Sequence, residues 1–376
     1  MNNTNIEPPE LTRDKVSNEL KCSGCGAVLE YKPGTKNLTC TYCGAENVIQ
    51  DSVEIIEEID YEKFIDQKLP HEEKMDVVTV KCTACGASVT LAPNVTADRC
   101  PYCASNIVVK TGTTNSILKP KSLVPFVVDR KKASDLFRGW IKKLWFAPSD
   151  LKKADIANER LNGIYVPYWT YDARTWTDYT GQRGTYYYET ETYTSTENGQ
   201  SVTKTRQVRR VQWTYASGQV RNNFDDILVI ASSSLPTQYT ERLEPWNLKQ
   251  LVPYNDKYLG GFRSESYQVD VTTGLNVAKE KMIPTIRYAI NHDIGGDEQR
   301  IHTMTTTYDD ITFKHILLPI WISSYRFKDR VFRFLVNGQT GEVQGERPYS
   351  AMKIIMFILA IIAVIVIIVM LANGAS

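Results

Sequence analysis

Net charge is almost absent from this chain. Lys and Arg number 44 against 43 Asp and Glu, a formal +1 at neutral pH. That balance excludes a global pull toward nucleic acid or anionic lipid, so any electrostatic partner must be read by a local patch. Catalytic signatures are missing too. There is no Gly-x4-Gly-Lys-[Ser/Thr] phosphate loop, no Gly-x-Ser-x-Gly elbow and no His-Glu-x-x-His helix. His71-Glu72-Glu73 only imitates the start of the last. Histidine is scarce, and His71, His292, His302 and His315 stand singly. The pairs Asp225-Asp226 and Asp309-Asp310 would point to opposite faces of a strand, so neither reads as an acid/base dyad. The expectation is a protein that is not an enzyme. Residues 1–20 are polar and of mixed charge, without a basic start and apolar stretch. They read as a disordered N-terminus with no secretory signal.

What is present is cysteine in pairs. The eight cysteines form four Cys-x-x-Cys units with none left over. Such units in a reducing compartment read as metal ligation. Cys22, Cys25, Cys40 and Cys43 have the spacing Cys-x2-Cys-x14-Cys-x2-Cys, and Cys82, Cys85, Cys100 and Cys103 repeat it at an offset of 60. Lys21, Gly26, Ala27, Pro33 and Tyr42 recur as Lys81, Gly86, Ala87, Pro93 and Tyr102, which reads as an internal duplication. Two thiolates three residues apart on a tight turn can both reach one ion at about 2.3 Å. Gly26, Gly44 and Gly86 suit those turns, while Ala104 stands where the first set has Gly44. Four thiolates leave no open position, so each set predicts one structural Zn2+, two in all. Nucleic-acid binding is the alternative, with Lys21, Lys32, Lys36, Lys81 and Arg99 near the sites. Those cations can simply offset the formal charge of about −2 on each four-thiolate zinc. The stretch 51–80 is acidic through Glu54, Glu57, Glu58, Asp60, Glu62, Glu72 and Glu73, and would repel phosphate.

From Ile354 to Ala372 the sequence is apolar without a charge. Nineteen helical residues span about 28 Å, close to a hydrocarbon core of roughly 30 Å. Residues 353–372 are therefore expected to be a transmembrane helix. Arg347 and Lys353 precede it, and only Asn373 to Ser376 follow. The positive-inside bias puts the N-terminal body in the cytoplasm, which makes a single-pass, tail-anchored protein of the cell membrane.

The middle of the chain reads as strand-rich α+β. Tyr61–Leu69 predicts a short helix, Ile107–Val109 a strand and Thr111–Ser116 a loop. Leu123-Val124-Pro125-Phe126 precedes a helical pattern over Ala133–Phe146, with Leu136, Trp140, Ile141 and Leu144 on one face. Val166-Pro167-Tyr168-Trp169 then opens strands. Leu251-Val252-Pro253-Tyr254, a helix over Val269–Lys281 and Leu318-Pro319-Ile320-Trp321 repeat that order, which suggests two modules within 117–350. Phe332–Val336 and Glu342–Glu346 flank the glycine turn Asn337–Gly341. In 186–213, Asn198-Gly199 predicts a hairpin with Glu191 facing Arg206, Thr192 facing Thr205 and Tyr193 facing Lys204. Neither face is apolar, so the hairpin projects from the body. Tyr186, Tyr187, Tyr188, Arg209 and Arg210 are its candidate partner contacts, since Tyr and Arg mark interfaces. A solvated ribbon is the plainer alternative.

Together the Lys-Cys-x-x-Cys-Gly-Ala and Cys-x-Tyr-Cys ribbons, the Val-Pro-Tyr-Trp and Leu-Pro-Ile-Trp segments, the Asn-Gly-Gln-Thr-Gly turn and the C-terminal span resemble a known family. It is the bacterial tail-anchored, TFIIB-type zinc ribbon-containing membrane proteins, the YdjG-like group. The resemblance covers most of residues 21–372. It implies association with flotillin-like SPFH proteins or phage-shock proteins, and a place in envelope stress or membrane organisation. The expected organisation is thus two ribbons (21–50 and 81–110), an acidic linker (51–80), the α+β region and the span. The expected role is a membrane-anchored adaptor for protein partners, with a membrane-tethered nucleic-acid binder as the alternative.

Overall fold

Three strands, each several times the usual strand length, carry the architecture. The computed structural model describes residues 20–50, 55–66, 74–91, 97–102, 105–108, 113–149, 161–197, 200–327 and 330–374. In chain order the first strands are β1 (Leu29–Tyr31), β2 (Asn37–Cys40), β3 (Glu46–Val48) and β4 (Ile59–Asp60), followed by helix α1 (Tyr61–Ile65). Then come β5 (Lys74–Lys81), β6 (Ser88–Leu91), β7 (Ala97–Arg99), β8 (Asn106–Val108), β9 (Thr113–Leu118) and β10 (Ser122–Leu123). Helix α2 (Arg130–Lys143) leads to β11 (Asn162–Glu197) and β12 (Gln200–Ile230), and then to β13 (Val252–Pro253) and β14 (Arg263–Ser264). Helix α3 (Val271–Ile294) precedes β15 (Glu298–Phe327), β16 (Arg330–Asn337) and β17 (Val343–Gly345), and α4 (Ala351–Gly374) closes the chain. The fold is mixed α+β, with cysteine clusters near its N-terminal end and one apolar helix at its C-terminal end.

The central strand β11 lies antiparallel between β12 and β15. Glu191 faces Arg206, Thr192 faces Thr205 and Tyr193 faces Lys204, the register expected from the Asn-Gly turn. β15 stops pairing at Gly184↔Glu298, so from Thr185 outward the sheet is a two-stranded arm. The 36 residues of β11 have a contour of about 120 Å at about 3.3 Å per residue. The order short strand, helix, long strand, return strand occurs twice, as β10-α2-β11-β12 and, with the two-residue β14 interposed, as β13-α3-β15-β16. The similar segments meet each other, since Leu123 pairs with Val252 and Val166 with Leu318.

Alternation along β11 sorts the core. Tyr165, Trp169 and Tyr171 point to one face, and Ile164, Val166 and Tyr168 to the other. The first face is covered by the 20–49 segment, α2 and α3; the second by the 80–102 segment and residues 235–251. The Asp129 carboxylate caps α2 by accepting from the Lys132 amide at 2.7 Å. α2 buries Ala133, Phe137 and Ile141, spaced four apart, and Phe137 stacks on Phe334 at 3.4 Å. α2 starts beside Gly338, to which Val128 bonds, and runs toward Phe334, away from the arm. β17 runs the same way, so α4 begins at the end of the sheet opposite the arm tip.

Some segments differ from the sequence reading. Thr113–Leu118 is a strand paired with Lys74–Thr79, where a loop was expected. Its pattern is polar, and its partner lies about forty residues away, so no local signal marks it. The 51–80 segment is more than a linker: it supplies β4, which pairs with Thr312–Phe313, and α1 and most of β5. Within it, Phe64 packs edge-on to Phe313 at 5.1 Å. Helix α3 runs thirteen residues beyond Lys281, through Pro284. Its buried stripe Leu275, Ala278, Met282, Ile286, Ile290 and Ile294 keeps the helical period past the proline, and that packing outweighs the lost hydrogen bond. The expected disordered residues 1–19 lie outside the described ones, as do 67–70 at the end of the expected short helix.

α4 passes the test of length and composition for a membrane span. Its window Ala351–Leu371 has 21 residues and a mean hydropathy of 3.7, and none of it is buried. At about 1.5 Å per residue it is long enough for a hydrocarbon core of about 30 Å.

Candidate metal centres

Each cysteine pair sits on a turn closed by its own backbone. Gly26 N–H donates to Cys22 O at 2.8 Å and Cys22 N–H to Ala27 O at 2.7 Å. The same bonds recur at Gly44→Cys40 (2.9 Å) and Cys40→Ala45 (2.9 Å), and at Gly86→Cys82 (2.8 Å) and Cys82→Ala87 (2.8 Å). These turns need left-handed backbone, and Gly26, Gly44 and Gly86 have φ of 72°, 73° and 77°. In the fourth turn Cys100 N–H donates to Ser105 O at 2.8 Å, while Cys103 and Ala104 lie outside the described residues.

The sequence-predicted ligands converge. The sulfurs of Cys22, Cys25, Cys40 and Cys43 all lie within 4.8 Å of one another, as do those of Cys82, Cys85 and Cys100. Cys22–Cys43 and Cys25–Cys40 are 3.5 Å apart and Cys85–Cys100 3.6 Å. A tetrahedral ion with thiolates at about 2.3 Å sets its sulfurs about 3.8 Å apart. Both clusters are therefore able to hold a metal ion, and none of the described cysteines is tied up in a disulfide.

Backbone amides ready the sulfurs for a cation. The N–H groups of Cys43 and Tyr42 bring the Cys40 thiol down to about 6, and those of Cys25 and Gly24 lower Cys22. Cys25 goes up to about 12: the Ala27 amide pulls it down, but the crowded thiols of Cys40 and Cys43 outweigh that pull. A cation among them reverses this sharing, because it favours every thiolate at once.

The two clusters dock differently. In the first, Leu29, Tyr31 and Leu38 are buried against Phe126 and Tyr258. Tyr31 N–H donates to Gly260 O at 2.9 Å, and its hydroxyl donates to Thr35 O at 2.7 Å. In the second, Tyr102 is fully buried, and its hydroxyl donates to Glu265 Oε2 at 2.6 Å. Burial pushes Glu265 up to about 7 against the hydrogen bonds from Ser234, Tyr102 and Gln268. Tyr42, the equivalent of Tyr102 in the cysteine spacing, is 85% exposed. One residue type thus serves as a surface in one cluster and as an anchor in the other.

Comparison with known proteins adds one relative and no activity. No family model matches the chain, and no solved structure does. It is 25% identical over 341 residues to the uncharacterized protein YdjG of Bacillus subtilis (strain 168), covering 89% of this chain and 91% of that one.

At the arm, the structure divides the candidate contacts. Tyr186 is held internally: its hydroxyl donates to Glu298 at 3.0 Å and its ring lies 4.2 Å under the Arg209 guanidinium. Arg210 bridges Glu189 and Glu191. Tyr187 and Tyr188 point to opposite faces and are 42% and 65% exposed.

A second titratable group was missed in the sequence. Asp226 and Asp310 have φ of 53° and 49°, at bulges where β12 and β15 each carry one residue more than β11. The adjacent aspartates therefore do not alternate as on a regular strand. Asp226 turns to Lys314 at 2.8 Å, and Lys314 also donates to Glu58 at 2.9 Å. Glu58 accepts from Thr312 at 2.6 Å and lies against Asp172. Burial opposes ionisation of Glu58, but its hydrogen bonds from Asp172, Thr312 and Lys314 outweigh that and hold it at about 2. Burial and the Glu58 carboxylate push Asp172 up to about 7 from an ordinary 3.8. The pair shares one proton and clamps β4 to the long sheet.

Folding thus favours protonated Asp172, and its stabilisation is complete below about pH 4 and lost as pH rises through about 7. Amide exchange at Ile59 and Phe313 is expected to be faster at pH 8 than at pH 6, after correction for intrinsic rates. Asp172→Asn, whose amide donates to Glu58 at any pH, is expected to remove that difference. An unchanged difference in the variant would show that another group is responsible.

Proposed function

We propose that this chain is a non-enzymatic adaptor tethered to a membrane, with two structural zinc ribbons bracing a body that presents a partner-binding arm. The arm carries the reading. It continues beyond the third strand for thirteen residues of β11, Thr185–Glu197, about 40 Å of contour. It contributes nothing to the core, and it points away from the end where α4 begins. A solvated ribbon of that length is an edge liability unless something uses it. Tyr187 and Tyr188 offer large, exposed, low-entropy contact surface at its base.

Zinc is supported by the donor set. Four soft thiolates in a closed shell suit a structural Zn2+ rather than an ion that must bind substrate. Cysteines without disulfides and the Arg347 and Lys353 flank support a cytoplasmic body. Recurrence of the knuckle bonds, and of the strand-helix-strand order, supports duplication of both the ribbons and the body. The resemblance implies flotillin-like SPFH or phage-shock proteins as partners. The non-enzymatic reading is supported by the cavity of about 350 Å³ between β5, β6, β9 and residues 254–266. Its carboxylates are already engaged, Glu265 with Tyr102 and Asp256 with the Tyr254 hydroxyl at 2.6 Å. Nucleic-acid binding is disfavoured at the arm, where Arg206 and Arg210 are paired with Glu189 and Glu191.

A photo-crosslinking amino acid at Tyr188 in the full-length protein tests this in native membranes. Discrete protein adducts are expected from position 188, and none from Tyr288, which is 74% exposed on α3. Equal labelling from both positions, or none from either, would remove the arm as the contact.

A further inference from the structure

The turn that follows α2 lies against the start of α4. The Phe146 ring meets Phe357 edge-on at 5.4 Å. Ser350 N–H donates to Phe146 O at 2.8 Å, and Lys353 Nζ donates to Ala147 O at 2.7 Å. Trp145, between these anchored neighbours, is 74% exposed. An indole is rarely left in water beside an apolar helix, because its ring is large and its N–H needs a polar partner. Between the indole and the helix is a cleft of about 560 Å³, lined by Trp145, Met352, Lys353, Met356, Phe357 and Ala360.

Depth follows from helix geometry. The 21 residues Ala351–Leu371 are about 32 Å long, so in a bilayer Ala351 and Leu371 stand near the two hydrocarbon boundaries. Met352 and Phe357 then lie about 2 to 9 Å inside the first boundary. Phe146 and Trp145, which border them, are at the level where headgroups meet acyl chains. Tryptophan favours that layer because one end is apolar and the other wet. Among the described residues the surroundings are basic. Lys142 and Lys143 are exposed in the last turn of α2, and Arg347 lies over the ring of Tyr349, itself 58% exposed. The nearest acidic group on the same connection, Glu346, accepts from the Arg333 amide at 3.2 Å.

We propose that this turn is a second membrane contact, in which Trp145 seats in the interfacial layer, an acyl chain fills the cleft, and Lys142 and Lys143 meet anionic phospholipid headgroups. The proposal rests on reading α4 as a membrane span. It assigns the body a fixed posture: with two points of contact, the long sheet cannot swivel freely about residues 346–350. The arm is then held out from the bilayer.

The test is tryptophan quenching in nanodiscs whose lipids carry bromine either near the headgroup or deep in the chain. Full-length protein, Trp145→Phe and Val364→Trp are compared. The chain has seven tryptophans. With shallow bromine the wild type is expected to lose more emission than Trp145→Phe, by up to one tryptophan's share of seven. That excess is expected to shrink when phosphatidylglycerol is omitted, or in Lys142→Glu/Lys143→Glu. Equal quenching of wild type and Trp145→Phe, while the added indole of Val364→Trp is quenched by deep bromine, overturns the proposal and leaves the span intact. An unquenched indole at 364 overturns both. An excess that ignores lipid charge overturns the headgroup contact.

Discussion

Cys40→Ser is expected to release one metal ion per chain and to unfold the 21–50 segment. Cys40 is 1% exposed, and its sulfur lies 3.5 Å from that of Cys25. Serine offers no thiolate, so the shell drops to three ligands. In small metal-folded modules the free energy of binding, about 10–16 kcal/mol, is largely the free energy of folding. A segment with two short hairpins buries too little to replace it. The damage reaches the body, because Leu29, Tyr31 and Leu38 pack into the same core as Phe126 and Tyr258. Intact mass under native conditions is expected to fall by one ion, and limited proteolysis to open near residues 22–48. A variant that keeps two ions and resists protease would show that Cys40 is no ligand.

Trp169→Ala is expected to be the most damaging substitution in the body. Trp169 is fully buried, donates its indole N–H to Val269 O at 2.8 Å, and packs on Tyr267, His315 and Phe313 at 5.0, 4.8 and 5.9 Å. It joins β11, β15 and the approach to α3. Truncating such a residue costs about 3–5 kcal/mol through the cavity it leaves, and strands the Val269 carbonyl as well. For a body of this size that lowers Tm by roughly 10 °C. Trp145→Ala, at an exposed site, should move Tm little in detergent. Similar shifts for the two would mean that the long sheet is not the stabilising core.

The cysteine geometry was legible because spacing alone constrains it. Two residues between thiols and a glycine after them define a turn in any context. The arm register was legible for a similar reason: Asn198-Gly199 fixes which residues oppose, and Glu191 with Arg206 agrees. Long-range decisions were not legible. Nothing local in Thr113–Leu118 announces its pairing with Lys74–Thr79. Pro284 argues against a helix that packing nevertheless carries to Ile294. The clamp of Glu58, Asp172, Asp226 and Lys314 draws on four distant segments, and it depends on bulges that alternation rules do not foresee. Positive φ at Asp226 and Asp310 had one faint trace, the doubled aspartates, since Asp tolerates left-handed backbone better than most residues. Tyr42 and Tyr102 occupy equivalent positions in sequence, and only the surface each cluster meets separates their fates.

The most direct measurement is co-purification from native membranes in mild detergent. Full-length protein is compared with a chain in which Asn-Gly replaces Tyr187–Arg210, which removes Tyr187 and Tyr188 and keeps Tyr186 facing Val211 across a two-residue turn. Both proteins should stay in the membrane fraction and carry the same metal content. The expected result is that membrane-organising proteins come down with the full-length chain and are lost with the shortened one. If the same partners accompany both, or if both come down bare or with nucleic acid, the arm is not an adaptor surface.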